Sequence, residues 1–224
     1  MVEWQRGKII GCMELTFLPV TPYQQNCALV WDAKGRAALI DPGGEADRLL
    51  AEVAQRGLKL EKILLTHGHL DHVGAAAEIR ELLGIPIIGP QREEQFWLDL
   101  LPHQAELFNF PPAVAFTPDQ WLDDGDRVEV GSLRFDVLHC PGHTPGHVVF
   151  YQPDAQLAFV GDVLFKGSIG RTDFPRGDHA ALLAAIREKL FPLGDDVRFV
   201  PGHGAMSTFG HERRENPFVG LASD

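Results

Sequence analysis

Nine residues constrain this chain more than any others: Thr66-His67-Gly68-His69-Leu70-Asp71-His72-Val73-Gly74. They follow an apolar run, Ile63-Leu64-Leu65, that reads as a short buried strand, and they precede an alanine-rich segment, Ala75 to Leu83, that reads as a helix. At the end of a strand His67 and His69 share a face, because side chains alternate with a period of two. A turn into the helix then presents Asp71 and His72 beside them. Imidazole and carboxylate are ligands that zinc, iron and manganese accept. A run of exposed surface histidines has no reason to terminate a buried strand, so a metal site is the expectation.

The same grammar recurs along the chain. Leu133 to Leu138 runs into His139-Cys140-Pro141-Gly142-His143-Thr144-Pro145-Gly146-His147. The strand-like Leu157 to Val160 ends at Gly161-Asp162, and Val197 to Val200 ends at Pro201-Gly202-His203-Gly204. Each is a strand, a Gly or Pro break, then a His or Asp. If these strand ends face one edge of a layered fold, all the groups meet there on loops held by rigid sheets. Asp41, between a strand and Pro42-Gly43-Gly44, is either another member of that edge or a simple turn acid. The stretch Gln91 to Gln120 opens as a helix, passes through Pro102 and Pro111-Pro112, and carries Phe96, Trp97, Phe108 and Phe110; it is expected to pack locally and to wall the site. Residues 1–12 read as an N-terminal tail, and 13–224 as one domain with no internal linker.

A formal net charge of −11 argues against a nucleic-acid partner, because a polyanion favours a basic face. Cys12, Cys27 and Cys140 have no framework or CxxC spacing, so a disulfide scaffold is not expected. No apolar stretch is long enough to span a membrane, and the first residues lack the apolar core of a signal peptide. These features fit a cytoplasmic protein, monomeric or a small homo-oligomer.

The motifs Thr66 to His72, Gly142-His143-Thr144, Gly161-Asp162 and Gly202-His203-Gly204, in that order, resemble the signature of the metallo-β-lactamase superfamily. Pro141 to His147 and the ending Glu212-Arg213-Arg214-Glu215-Asn216-Pro217-Phe218 resemble type II glyoxalases, the hydroxyacylglutathione hydrolases. The match is to the short bacterial form, which stops where longer members add a helical domain. The resemblance implies an α/β fold, a four-layer αββα sandwich of two mixed sheets with helices outside. It implies two divalent ions, zinc foremost, with iron or manganese as alternatives. His67, His69 and His143 would hold one ion and Asp71, His72 and His203 the other, with Asp162 bridging. Seven ligands exceed what one tetrahedral zinc takes. A coordinated water made acidic near neutral pH would serve as nucleophile toward a thioester carbonyl, with Asp71 orienting it. His103, His139, His147, His179 and His211 fall outside the set.

The implied substrate is S-2-hydroxyacylglutathione, such as S-lactoylglutathione. Where the glyoxalase pattern has a lysine and, two residues on, a tyrosine, this chain has Arg171 and Asp173. Arg171 keeps the cation, and Lys166 in the same loop is a further candidate contact for a glutathione carboxylate. The alternative to a contact is a mutual Arg171–Asp173 surface pair. Gly170-Arg171-Thr172-Asp173-Phe174 also resembles the loop of iron-dependent persulfide dioxygenases, in which His67, His143 and Asp162 would form a facial triad.

Overall fold

The computed structural model describes residues 8–10 and 13–220. The strands are β1 (Lys8–Ile10), β2 (Met13–Val20), β3 (Gln25–Asp32), β4 (Arg36–Ile40), β5 (Lys59–Leu64), β6 (Ile87–Ile88), β7 (Arg127–Val130), β8 (Leu133–His139), β9 (Val148–Gln152), β10 (Leu157–Gly161), β11 (Leu164–Phe165), β12 (Ser168–Ile169), β13 (Arg198–Pro201) and β14 (Ser207–Thr208). The α-helices are α1 (Ala46–Gln55), α2 (Leu70–Val73), α3 (Ala76–Leu83), α4 (Gln95–Asp99), α5 (Leu101–Leu107), α6 (His179–Ala185) and α7 (Phe209–Glu215).

Two six-stranded sheets form, in the orders β1-β2-β3-β4-β5-β6 and β14-β13-β10-β9-β8-β7. Both are mixed: β4, β5 and β6 run parallel in the first, β10 and β13 in the second, and the remaining pairs are antiparallel. Three apolar clusters mark the layers. One, with Leu29, Leu39, Leu49, Val53 and Ile79, joins the first sheet to α1 and α3. A second, with Val30, Ile40, Phe135 and Phe150, fills the space between the sheets. The third, with Val160, Leu182, Ile186 and Phe209, joins the second sheet to α6 and α7. Central strands such as β3 are buried along most of their length because both faces are covered. This is the expected αββα sandwich. Among the described residues no helix is long and apolar enough to cross a membrane.

The segment before Met13, expected as a tail, contributes an edge strand: Ile9 opposes Glu14 in an antiparallel ladder with β2. The rest of the 1–12 segment, Cys12 included, lies outside the described residues. The alanine-rich helix begins a turn earlier than its composition suggests, as α2, so that Leu70 and Val73 join the first core.

Asp32 ties the two sheets at the edge away from the motifs. Its Oδ1 accepts the backbone N–H groups of Lys34 (2.8 Å) and Arg36 (3.0 Å), and its Oδ2 accepts that of Ser132 (2.9 Å) in the β7–β8 turn. Burial works against its charge, but these donors and the Arg36 guanidinium hold the carboxyl well below its usual range. A depressed folded-state pKa contributes stability that is fully present above the unfolded value, about 3.9, and is lost as pH falls. Asp32→Asn is therefore expected to lower the melting temperature at neutral pH and to flatten its decline below about pH 4. Parallel acid melts of the two proteins check this.

Candidate metal centre

The strand ends do meet at one edge. His67 and His69 follow β5, Asp71 and His72 lie on α2, His143 follows β8, Asp162 follows β10 and His203 follows β13. The edge is laced by the backbone N–H of Asn26 donating to Gly202 O (2.7 Å) and that of Val148 to Thr66 O (2.8 Å). Close approach demands glycine at Gly202, where a Cβ would collide with Asp162 Oδ1 and His72 Cε1.

Two donor groups result. His67 Nε2 and His143 Nε2 each lie 3.1 Å from His69 Nδ1. In the second group His203 Nε2 is 3.2 Å, and His72 Nε2 4.0 Å, from Asp71 Oδ2. Asp162 lies between them: Oδ1 is 3.3 Å from His72 Nε2, while Oδ2 is 3.7 Å from both His143 Nε2 and His203 Nε2. The three atoms of each group fall within one coordination sphere's reach of one another. His72 Nε2 and Asp162 Oδ1, which face one another across the second group, are buried without a hydrogen-bond partner. Buried polar atoms are seldom left so, and converging lone pairs of this kind suit divalent cations. The residues present therefore fit two such ions.

Electrostatics agree. Burial pushes the His67, His69 and His143 imidazoles below their usual range, and neighbouring imidazoles add to it, so their lone pairs are free at neutral pH. At His72 burial opposes the charged form, but Asp162, Asp71 and Asp41 outweigh it and raise the pKa. Burial likewise opposes ionisation of Asp162, yet His72, His143 and His203 hold its carboxyl well below the usual range. Two carboxylates facing three histidines make a centre that attracts cations.

The far ring nitrogens of His67, His72, His143 and His203 are fixed by outer partners, as is usual for metal-binding histidines, whereas that of His69 has none among the described residues. His143 Nδ1 donates to the Arg171 carbonyl (2.8 Å) and His203 Nδ1 to the Tyr23 carbonyl (3.0 Å). Asp41 resolves as a member of the edge. Its Oδ2 lies 2.9 Å from His72 Nδ1 and accepts Thr66 Oγ1–H at 2.6 Å, while Thr66 Oγ1 lies 3.0 Å from His67 Nδ1. One acid thus orients a histidine in each group. His147 stacks on His67 (4.6 Å, 18°) and its Nε2 accepts the Asp162 N–H at 3.1 Å, outside both donor groups. Cys140 is buried with its thiol pushed up to about 12 by that burial, which makes it a poor nucleophile.

Sequence reasoning missed Glu94. The side chain is fully buried; Oε2 accepts Gly68 N–H (2.8 Å) and Oε1 accepts Gly146 N–H (2.7 Å). It joins the loop of His67 and His69 to the loop of His143 and His147. Burial pushes its carboxyl up to about 7 against the pull of these donors. Glu93-Glu94 looks like a surface pair, and only the helical phase of the following Phe96 and Trp97 hints that one acid turns inward. Glu94→Ala would strand two buried N–H groups, an expected loss of about 2–5 kcal/mol in denaturant unfolding.

A cavity of about 840 Å³ opens over the donor groups. Trp97 and Phe174 stand edge-on to His69, at 4.6 and 4.8 Å between centroids, so the Gln91 to Gln120 excursion does wall the site. Arg171 lies on the wall, 62% exposed, with Nε and Nη2 each 2.7 Å from an Asp173 oxygen and the guanidinium 4.3 Å over Phe174. Lys166 is exposed in the β11–β12 turn, where Phe165, Ser168 and Ile169 supply the wall and Lys166 does not.

Paired His/Asp groups sharing one acid, on the loop edge of an αββα sandwich, define a metallohydrolase. The model of the "Metallo-beta-lactamase superfamily" matches residues 20–203. The chain belongs to that superfamily. Hydroxyacylglutathione hydrolase GloC of Haemophilus influenzae is 48% identical to it over 212 residues, covering 94% of this chain and all (100%) of that protein. Among solved structures, the BLEG-1 B3 metallo-beta-lactamase superposes with a TM-score of 0.85 at 37% identity, covering 92% of this chain and 99% of that one. TTHA1623 in a di-iron-bound form superposes with a TM-score of 0.83 at 40% identity, covering 90% and 98%.

Proposed function

We propose that the chain is a metal-dependent thioester hydrolase that converts S-2-hydroxyacylglutathione, S-lactoylglutathione foremost, to a 2-hydroxy acid and glutathione. The observation that carries the reading is an intact seven-donor set at the floor of an open cavity, in a chain 48% identical along nearly its whole length to a hydroxyacylglutathione hydrolase. His67, His69 and His143 would hold one divalent ion, Asp71, His72 and His203 a second, and Asp162 both. Bound there, the pair supplies Lewis acidity and a water acidified toward neutral pH. The reading commits to zinc; the nitrogen and oxygen donors also suit iron.

The chain's own groups do the rest. Asp71 accepts a proton of the attacking water in a hydrogen bond and aims its lone pair at the thioester carbon. Trp97 and Phe174 keep bulk water from that carbon, and low polarity there strengthens the electrostatics. Arg171 pairs with a substrate carboxylate. Because Asp173 already neutralises it at an exposed position, Arg171→Ala is expected to raise KM about three- to fivefold, roughly 1 kcal/mol, with kcat little changed. Steady-state kinetics with S-lactoylglutathione check this.

The persulfide dioxygenase alternative uses only His67, His143 and Asp162, which leaves His69, Asp71, His72 and His203 without a task, and it has less support. Hydrolysis of S-lactoylglutathione by metal-loaded protein, run beside oxygen uptake with glutathione persulfide, separates the two. Oxygen uptake without hydrolysis would overturn the hydrolase reading. A cytoplasmic location belongs to the same proposal.

A further inference from the structure

Resting on the thioester-hydrolase reading, we infer that the cavity selects thioesters whose acyl group bears a large apolar substituent, aryl or branched alkyl, over the lactoyl ester.

The cavity's two sides differ. Beside His143 stand Phe174 and Arg171, and Arg171 is the only lysine or arginine on the wall among the described residues. Its Nε/Nη2 edge is already engaged by both oxygens of Asp173, which offsets its charge at an exposed position, so an anionic carrier gains only modest grip there. Beside His203 the wall is apolar. Tyr23 in the β2–β3 turn, whose carbonyl holds His203, packs at 5.4 Å on Phe110 and at 6.5 Å, edge-on, on Phe108. Leu107, at the end of α5, continues that surface along the same cavity.

Phe110 packs in part against the first core, but Tyr23, Leu107 and Phe108 are not spent on it. Leu107 is 65%, Tyr23 50% and Phe108 45% exposed. Adjacent large apolar groups left in water at the mouth of a site signal a ligand rather than a folding requirement. A lactoyl group, with one methyl, cannot cover them. A phenyl or branched alkyl group on the acyl side would, with the thiol carrier lying toward Arg171. Apolar burial of that size adds to the modest recognition that the partly neutralised arginine gives.

The test uses the full-length, metal-loaded chain and two substrates with one carrier, S-mandeloylglutathione and S-lactoylglutathione. Each kcat/KM is divided by that ester's rate of alkaline hydrolysis, which removes intrinsic reactivity. The corrected ratio is expected to favour mandeloyl by about tenfold or more. In Leu107→Ser/Phe108→Ser it should fall at least about fivefold toward unity, with metal content and melting temperature retained. Should the double variant fail to fold, Leu107→Ser alone, at the most exposed of the three positions, reads the same ratio. A wild-type ratio of one or below, or a ratio untouched by the substitutions, overturns the inference while leaving the hydrolase standing. Absence of hydrolysis of either ester by protein with two ions bound overturns the hydrolase reading itself, and the inference with it.

Discussion

Asp162→Ala is expected to leave each chain with at most one tightly bound ion and to lower turnover of S-lactoylglutathione roughly a thousandfold or more. Asp162 sits between the two donor groups, with one oxygen toward His72 and the other toward His143 and His203. Its removal takes away a shared ligand together with the charge that balances three imidazoles. Asp162→Asn keeps the shape but loses the charge, and should restore folding stability without restoring the second ion. Elemental analysis on desalted protein, with a melting curve as the control for folding, decides it. Two ions per chain in the alanine variant would contradict the bridging role.

Asp41→Ala carries the other large effect. This acid is assigned to neither ion, yet it holds His72 directly and His67 through Thr66. Losing an outer partner of a metal-bound histidine weakens binding by about 10–100-fold, and here one substitution removes partners from both groups. Both dissociation constants, measured by competition with a chelator, should therefore rise. Weakening of one ion alone would show that the Thr66 relay does not carry orientation to His67.

The contrast between Asp41 and Glu94 explains how much was legible beforehand. The strand, break and His-or-Asp pattern marked each donor, because a ligand at a strand end leaves a local imprint: apolar alternation before it and glycine or proline after it. Asp41 carried the same imprint and stayed ambiguous only because a turn acid looks identical. Glu94 left none. Its partners are backbone N–H groups 26 and 52 residues away, and a backbone donor has no residue type to recognise. The β1 strand was hidden for a related reason, since an edge strand paired on one side needs little apolar alternation. For Arg171 the residue type was readable but its engagement was not: the Asp173 pair forms because both side chains turn outward over Phe174.

Fold, donor geometry and cavity converge on a two-ion thioester hydrolase, and a metal titration reads that claim most directly. Apo-protein is loaded stepwise with zinc, and S-lactoylglutathione hydrolysis is recorded against ions bound per chain. Activity is expected to rise until two ions are bound and to level there, with iron giving the same stoichiometry. Full activity at one ion per chain, or no hydrolysis at two, would contradict the account.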